Sequence, residues 1–205
     1  MKERQFIVEN IKMAEIEEFL GKEFSKAGFS HSEIVRTPLA TRVTVFAQRP
    51  GMVIGRGGKT IDNITEILRN RFKLENPQMD VQEVDNPDMD PSIVSKQIAA
   101  SIERGINYKR VVNLYIERIM GAGAVGVSIR VGGKLGGDIS RFEKFSIGYL
   151  KYAGDMAENL VRTAYATAKV KLGLIGIQVR IMPERPPELQ ILENIRRKED
   201  GDNKV

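Results

Sequence analysis

A short glycine-rich loop constrains the fold more than any other feature of the sequence. It consists of Val53, Ile54, Gly55, Arg56, Gly57, Gly58, Lys59, Thr60 and Ile61. Glycines at both ends of this G-x-x-G turn leave the backbone unshielded, so a phosphate group can approach it closely. Apolar residues at helical spacing follow it, at Ile61, Ile64, Leu68 and Phe72. A helix is therefore predicted directly after the loop, and its free N–H groups would attract an anion.

The charges around the loop also favour a nucleic-acid site. Arg56 and Lys59 are cationic, and no carboxylate occurs between Arg42 and Asp62. Mobile cations beside an unshielded backbone are suited to phosphate. An ordinary turn between two helices is the alternative interpretation of a bare G-x-x-G sequence.

The surroundings of the loop predict its place in a fold. We interpret residues 52–54 as a short strand before the loop, and we expect Ile54 and Ile61 to anchor it to the core. With a preceding amphipathic helix and two short strands, around residues 33–36 and 42–48, the segment resembles a KH domain of the second topological type. That resemblance implies the order helix, strand, strand, helix, helix, strand, and RNA as the ligand.

The second half of the chain changes pattern after an acidic connector. Asp90 is predicted to cap a helix whose first residue is Pro91, and a second helix follows around residues 108–119. Residues 127–131 and 175–181 alternate with a period of two, which predicts strands. Residues 142–170 fit either helix or strand, and strand is favoured.

These patterns predict an α+β protein, with a type II KH domain followed by a second α+β domain of two helices packed on a mainly antiparallel sheet. The predicted boundaries are 1–86 for the KH RNA-binding domain, 87–185 for the C-terminal domain, and 186–205 for a charged flexible tail. One short helix at residues 189–195 is expected in that tail.

Several enzyme and cofactor classes lack support in the sequence. Residues 121–126 match G-x-G-x-x-G, but they follow a predicted helix and precede a strand, the reverse of a dinucleotide site. Gly58, Lys59 and Thr60 end like a P-loop, but position 53 is valine where that motif needs glycine. With no cysteine and one histidine, no catalytic or metal cluster is expected. No cofactor, small-molecule substrate or membrane segment is predicted.

Positive charge is concentrated in the second half of the chain. Residues 1–90 carry 13 lysines and arginines against 15 carboxylates, whereas residues 104–180 carry 13 against 5. A surface that follows a phosphate backbone requires such an excess. We expect Lys134, Arg141 and Lys144 to form a basic, glycine-rich turn that binds RNA.

Two longer segments carry a more specific resemblance. They are residues 121–137 (GAGAVGVSIRVGGKLGG), continued by Ile139, Ser140 and Arg141, and residues 173–183 (GLIGIQVRIMP). Both are similar to the second domain of the small-subunit ribosomal protein S-three family, in its archaeal and eukaryotic branch. The resemblance spans about residues 5–185.

This resemblance implies a function in translation. It predicts a non-enzymatic, cytoplasmic, ribosome-bound protein in the head of the small subunit, near where messenger RNA enters. The implied partners are small-subunit ribosomal RNA, messenger RNA and neighbouring head proteins. Lys109 and Arg110 match two basic family positions that face the messenger, whereas a third falls on Asn113, which leaves messenger unwinding in doubt.

Two other functions stay open at this point. A free KH protein that acts as an assembly or regulatory factor would carry the same loop. A nucleic-acid-processing enzyme is the less favoured alternative, because no nucleophile, metal cluster or nucleotide loop is visible.

Overall fold

The computed structural model describes residues 2–37, 40–74 and 76–184, with side chains from residue 7 onward. Its contacts divide the chain into two compact units, Met1–Pro87 and Asp88–Val205. Each unit has its own hydrophobic core.

Unit 1 has the element order of a type II KH domain. Its elements are α1 (Lys2–Glu23), β1 (Phe29–Arg36), β2 (Thr41–Ala47), α2 (Pro50–Ile54), α3 (Lys59–Phe72) and β3 (Pro77–Glu83). β1 pairs antiparallel with β2, and β2 pairs parallel with β3. Because a parallel pair needs a crossover connection, the chain between β2 and β3 runs through α2, the glycine loop and α3.

The core of unit 1 follows the helix and strand periods. Its residues are four apart on the helices and two apart on β2: Ile16 and Leu20 on α1, with Phe24 directly after it; Ile64, Leu68 and Phe72 on α3; and Val43, Val45 and Ala47 on β2. The buried residues of α3 fix which face of that helix packs against the core. They therefore also fix the orientation of its first turn, which follows the glycine loop.

One local prediction in unit 1 is wrong. Residues 52–54 belong to helix α2, not to a strand, because Pro50 occupies the first helical position, where its fixed φ favours a helix. The glycine loop therefore connects two helices, as the type II arrangement requires.

Unit 2 is a layer of two helices on a four-stranded sheet, as the sequence predicted. It contains α4 (Pro91–Glu103), α5 (Tyr108–Gly121), β4 (Gly126–Gly133), β5 (Arg141–Gly148), α6 (Asp155–Asn159), β6 (Arg162–Val170) and β7 (Gly173–Met182). The strand order is β5-β4-β7-β6, and every pair is antiparallel.

The local signals in unit 2 are largely confirmed. Asp90 caps α4 by accepting a 2.8 Å hydrogen bond from the Ser92 N–H, and Pro91 is the first helical residue. Residues 121–126 are the end of α5 and the turn into β4, so the dinucleotide interpretation is excluded by their order. The ambiguous residues 142–170 form two strands, with the short helix α6 between them.

The last two points concern membrane helices and the predicted C-terminal tail. No helix in the described part of the chain is long and apolar enough to cross a membrane. The predicted tail, residues 186–205, and its expected helix lie outside the described residues.

Candidate nucleic-acid interface

The glycine loop has a backbone that only glycine adopts easily. Gly55 has φ 76° and ψ −176°, and Gly57 and Gly58 also have positive φ. A Cβ at Gly55 would come within 2.7 Å of the Thr60 Cβ. A Cβ at Gly57 would meet nothing within 4 Å. The loop thus turns sharply at Gly55 and leaves the backbone open at Gly57.

Positive charge surrounds the open side of the loop. Arg56 and Lys59 are exposed, and neither forms a salt bridge within the described residues. Gly58 is the N-cap of α3 and offers no side chain to its first N–H groups. Asp62, in the first turn of α3, is the one carboxylate of that turn. In this arrangement backbone N–H groups can donate hydrogen bonds to a phosphate oxygen, with two cations beside it.

The anchoring of the loop differs from the prediction. Val53 is fully buried in the core of unit 1, whereas Ile54 is 42% exposed. Because α2 is a helix, adjacent residues point in different directions, and Val53 faces inward. The expectation that Ile54 anchors the loop is therefore wrong.

The first turn of α5 holds the second predicted pair of cations. The Asn107 side chain caps this helix by accepting from the Lys109 N–H at 2.9 Å. The Lys109 Nζ lies 3.4 Å from Glu143 Oε1, which also accepts a 3.0 Å hydrogen bond from the Tyr108 hydroxyl. The negative charge of Glu143 and the neighbouring Tyr108 raise the pKa of Lys109. Arg110 is exposed and has no salt bridge in the described residues.

Lys134, Arg141 and Lys144 do not share one surface. Lys134 lies in the β4–β5 connection, and Arg141 begins β5 next to it, opposite Gly133. Successive strand side chains point to opposite faces, so Lys144 lies on the face that Arg141 and Glu143 do not share. Only Lys134 and Arg141 therefore belong to the predicted basic turn.

Lys144 instead lies near two cations, Arg130 and Arg180, that no sequence motif indicated. Its Nζ lies 4.1 Å from the centre of the Tyr152 ring, and Arg180 lies 5.8 Å from that ring. Arg130 stacks over Phe142 at 4.3 Å. The alternation of β4 and β7 predicts which face Arg130 and Arg180 occupy, but the cross-strand register decides that they meet Lys144.

Comparison with known proteins supports both halves of the architecture. A KH domain family model matches residues 15–89, and the model described as "Ribosomal protein S3, C-terminal domain" matches residues 98–181. The small ribosomal subunit protein uS3 of Methanococcus maripaludis strain C5 is 47% identical over 195 residues, which are 94% of this chain and 92% of that relative. The chain belongs to the ribosomal protein S3 family. Its S3 relatives also include the protein from Methanocaldococcus jannaschii, 45% identical over 204 residues, with 100% and 97% of the two chains covered.

Membership of the S3 family confirms three predictions. The resemblance read from residues 121–137 and 173–183 is correct, and these S3 relatives are archaeal. The α+β architecture with a KH domain is correct. The expectation of a non-enzymatic protein is confirmed at the level of the family, whose members are named as ribosomal proteins.

Proposed function

We propose that this protein is a structural constituent of the small ribosomal subunit, where it binds ribosomal RNA in the subunit head and lines the region where messenger RNA enters. The observation that carries the proposal is the likeness to small-subunit proteins over nearly the whole length of both chains. A protein held permanently in an RNA particle needs several cationic contacts and no turnover, which fits the excess of positive charge in residues 104–180.

In this proposal the loop of Gly55, Arg56, Gly57, Gly58 and Lys59 binds an RNA phosphate. The open backbone at Gly57 and the uncapped start of α3 support this assignment. Lys134 and Arg141, at the end of the β4–β5 hairpin, bind phosphates of ribosomal RNA. Lys144 binds RNA from the opposite face of the sheet.

Lys109 and Arg110 are proposed to face messenger RNA. Cations in the first turn of a helix oppose its macrodipole and cost roughly 0.3–1 kcal/mol each at the surface. The first turn of α5 contains no carboxylate to offset them. The stability of α5 therefore does not favour a cation at position 110, whereas the binding of a messenger RNA phosphate does. Glu143 holds Lys109 only through an exposed contact, which a phosphate can replace.

The proposal extends to organisation and partners. Residues 1–86 act as the KH domain, residues 87–185 as the C-terminal domain and residues 186–205 as a flexible tail. The partners are small-subunit ribosomal RNA, messenger RNA and neighbouring head proteins, in ribosomes of the cytoplasm.

Sedimentation tests this function. A lysate of cells that make the chain is fractionated on a sucrose gradient, and the chain is quantified against known small-subunit proteins before and after a high-salt wash. We expect near-equal stoichiometry in the small-subunit fraction that survives the wash. Sub-stoichiometric protein that washes into the light fractions would instead identify a free KH factor.

A further inference from the structure

One face of the unit 2 sheet is not covered by α4 and α5, and among the described residues only the segment that contains Tyr152 lies over part of it, at Ser128, which is 4% exposed. Side chains of Val127, Ile129 and Val131 point from β4 into the core, so Ser128 and Arg130 point to the other face. The register places one residue from each strand in a row across this open face: Lys144, Arg130, Gln178 and Tyr165. The next row contains Ser146, Ser128, Arg180 and Thr163.

The two rows concentrate positive charge. Arg130 on β4 lies directly opposite Lys144 on β5. Arg180 lies on β7 in the next row, opposite Ser128. Like charges directly opposite each other destabilise a sheet. Within the described residues none of these three cations forms a salt bridge. They line a depression of about 220 Å³ with Ser128, Tyr152 and Gln178, and that lining contains no carboxylate.

Aromatic rings lie beside the cations and are open to solvent. Phe142 is 65% exposed, Tyr152 50% and Tyr165 72%. The Gln178 amide lies 3.0 Å from the Tyr165 hydroxyl and, with its oxygen turned that way, accepts from both Tyr165 and Arg180. Cations of the same face contact Phe142 and Tyr152, and all three rings keep half or more of their surface exposed and available for stacking.

The cations of this face lower the pKa of Tyr152. Partial burial acts to raise the pKa of Tyr152, but hydrogen bonding from Lys144 and Ser128, with the charges of Lys144 and Arg180, outweighs it and lowers that pKa. The cations thus favour a negative oxygen at this point of the face. A carboxylate does occur nearby, since Glu158 lines the adjoining depression with Arg180.

We propose that the open face of the unit 2 sheet binds single-stranded RNA, with a phosphate between Arg130, Lys144 and Arg180 and bases stacked on the exposed rings. This site rests on the proposed RNA-binding function, but its residues belong neither to the glycine loop nor to the first turn of α5. An acidic protein surface would neutralise the charges and bury the rings, so it is the occupant that the test has to separate from RNA. A sequence of unpaired bases satisfies both, because every base has a face to stack and a phosphate to neutralise.

Binding of a fluorescent 12-nucleotide oligouridylate to the full chain tests this proposal. The triple variant Arg130→Gln, Lys144→Gln, Arg180→Gln removes the charges of the face. The matched control is Arg162→Gln, Lys169→Gln, Lys171→Gln, which removes the same net charge from exposed positions at and beyond β6. Affinity is measured over a range of salt concentrations.

The face variant should bind about tenfold more weakly than the control at 0.1 M salt, and its plot of log affinity against log salt should flatten by about 0.7 for each phosphate that the protein no longer neutralises. Tyr165→Leu should weaken binding by about tenfold without changing the slope, because stacking releases no counterions. If the triple variant perturbs folding, Arg180→Gln is compared with Arg162→Gln, so that each variant removes one charge.

The outcomes separate this site from the general function. If the face variant and the control bind alike while Arg56→Gln, Lys59→Gln weakens binding, the face is not an RNA site and the assignment of Lys144 to RNA is wrong, whereas the glycine loop as an RNA site and the ribosomal function stand. If the unaltered chain fails to bind the oligomer and leaves the small subunit in the salt wash, both proposals are wrong. Polyglutamate that binds as tightly as the oligomer, with Tyr165→Leu affecting neither, would identify a protein-docking surface and overturn the RNA assignment.

Discussion

Replacing Gly55 by alanine tests the geometry of the glycine loop. At φ 76° and ψ −176° this residue occupies a region that is essentially restricted to glycine, where a side chain costs about 1–3 kcal/mol. The new Cβ would also approach the Thr60 Cβ to 2.7 Å, and such overpacking typically costs about 1–3 kcal/mol. We therefore expect Gly55→Ala to destabilise unit 1 by about 3–4 kcal/mol.

Gly57→Ala is the matched control in the same loop. Its φ of 63° and ψ of 29° are left-handed helical, which costs about 1–2 kcal/mol, and no atom lies within 4 Å of the added Cβ. The expected difference of about 2 kcal/mol corresponds to roughly a 30-fold difference in the opening equilibrium. The new methyl group at position 57 would, however, stand where a phosphate approaches, so RNA affinity should fall in this control as well.

Amide hydrogen exchange of the full chain measures both effects. Peptides covering β2, where Val43 and Val45 are fully buried, report the opening of the unit 1 core. Exchange there should be about 30-fold faster in Gly55→Ala than in Gly57→Ala, by the same conversion. Equal exchange rates in the two variants would refute the loop geometry from which the RNA site is argued.

Three further outcomes follow from unit 2. Arg110→Glu should stabilise α5 by about 0.6–2 kcal/mol in urea denaturation, because it removes an unfavourable charge and adds a favourable one at the start of the helix, while weakening RNA binding; reduced stability would reveal a structural role. Lys144→Gln should raise the pKa of Tyr152, measured by NMR titration of the assigned Tyr152 ring signal, and an unchanged titration curve would contradict their contact. Asp90→Ala should cost about 1 kcal/mol by removing the cap of α4, and a negligible change would show that the cap is not stabilising.

The fold was predictable where a local signal and a period agreed. The cap at Asp90, the alternation of residues 127–131 and the glycine loop each correspond to an observed element. The strand predicted at residues 52–54 is wrong. Three consecutive apolar residues show neither helical nor strand periodicity, and Pro50 favours a helix. Residues 142–170 were ambiguous because the alanines at residues 160–169 favour a helix, whereas their alternation with other residues favours a strand.

The candidate site was predictable only in part. The loop cations and the first turn of α5 are local in sequence, so the motif and the family resemblance were enough to name them. The open sheet face depends on residues from four strands, and Arg130 meets Lys144 only through the observed register. A sequence shows which side chains share a face of one strand, but not which strands become neighbours.

Cryo-electron microscopy of small subunits from cells that make this chain would test the proposed ribosomal function at the level of individual contacts. We expect both units in the head of the subunit, with the loop at residues 55–59 and the first turn of α5 in contact with RNA phosphates. Subunits whose head lacks this chain, or in which both of these cationic elements face solvent or protein alone, would show that the proposed function is wrong.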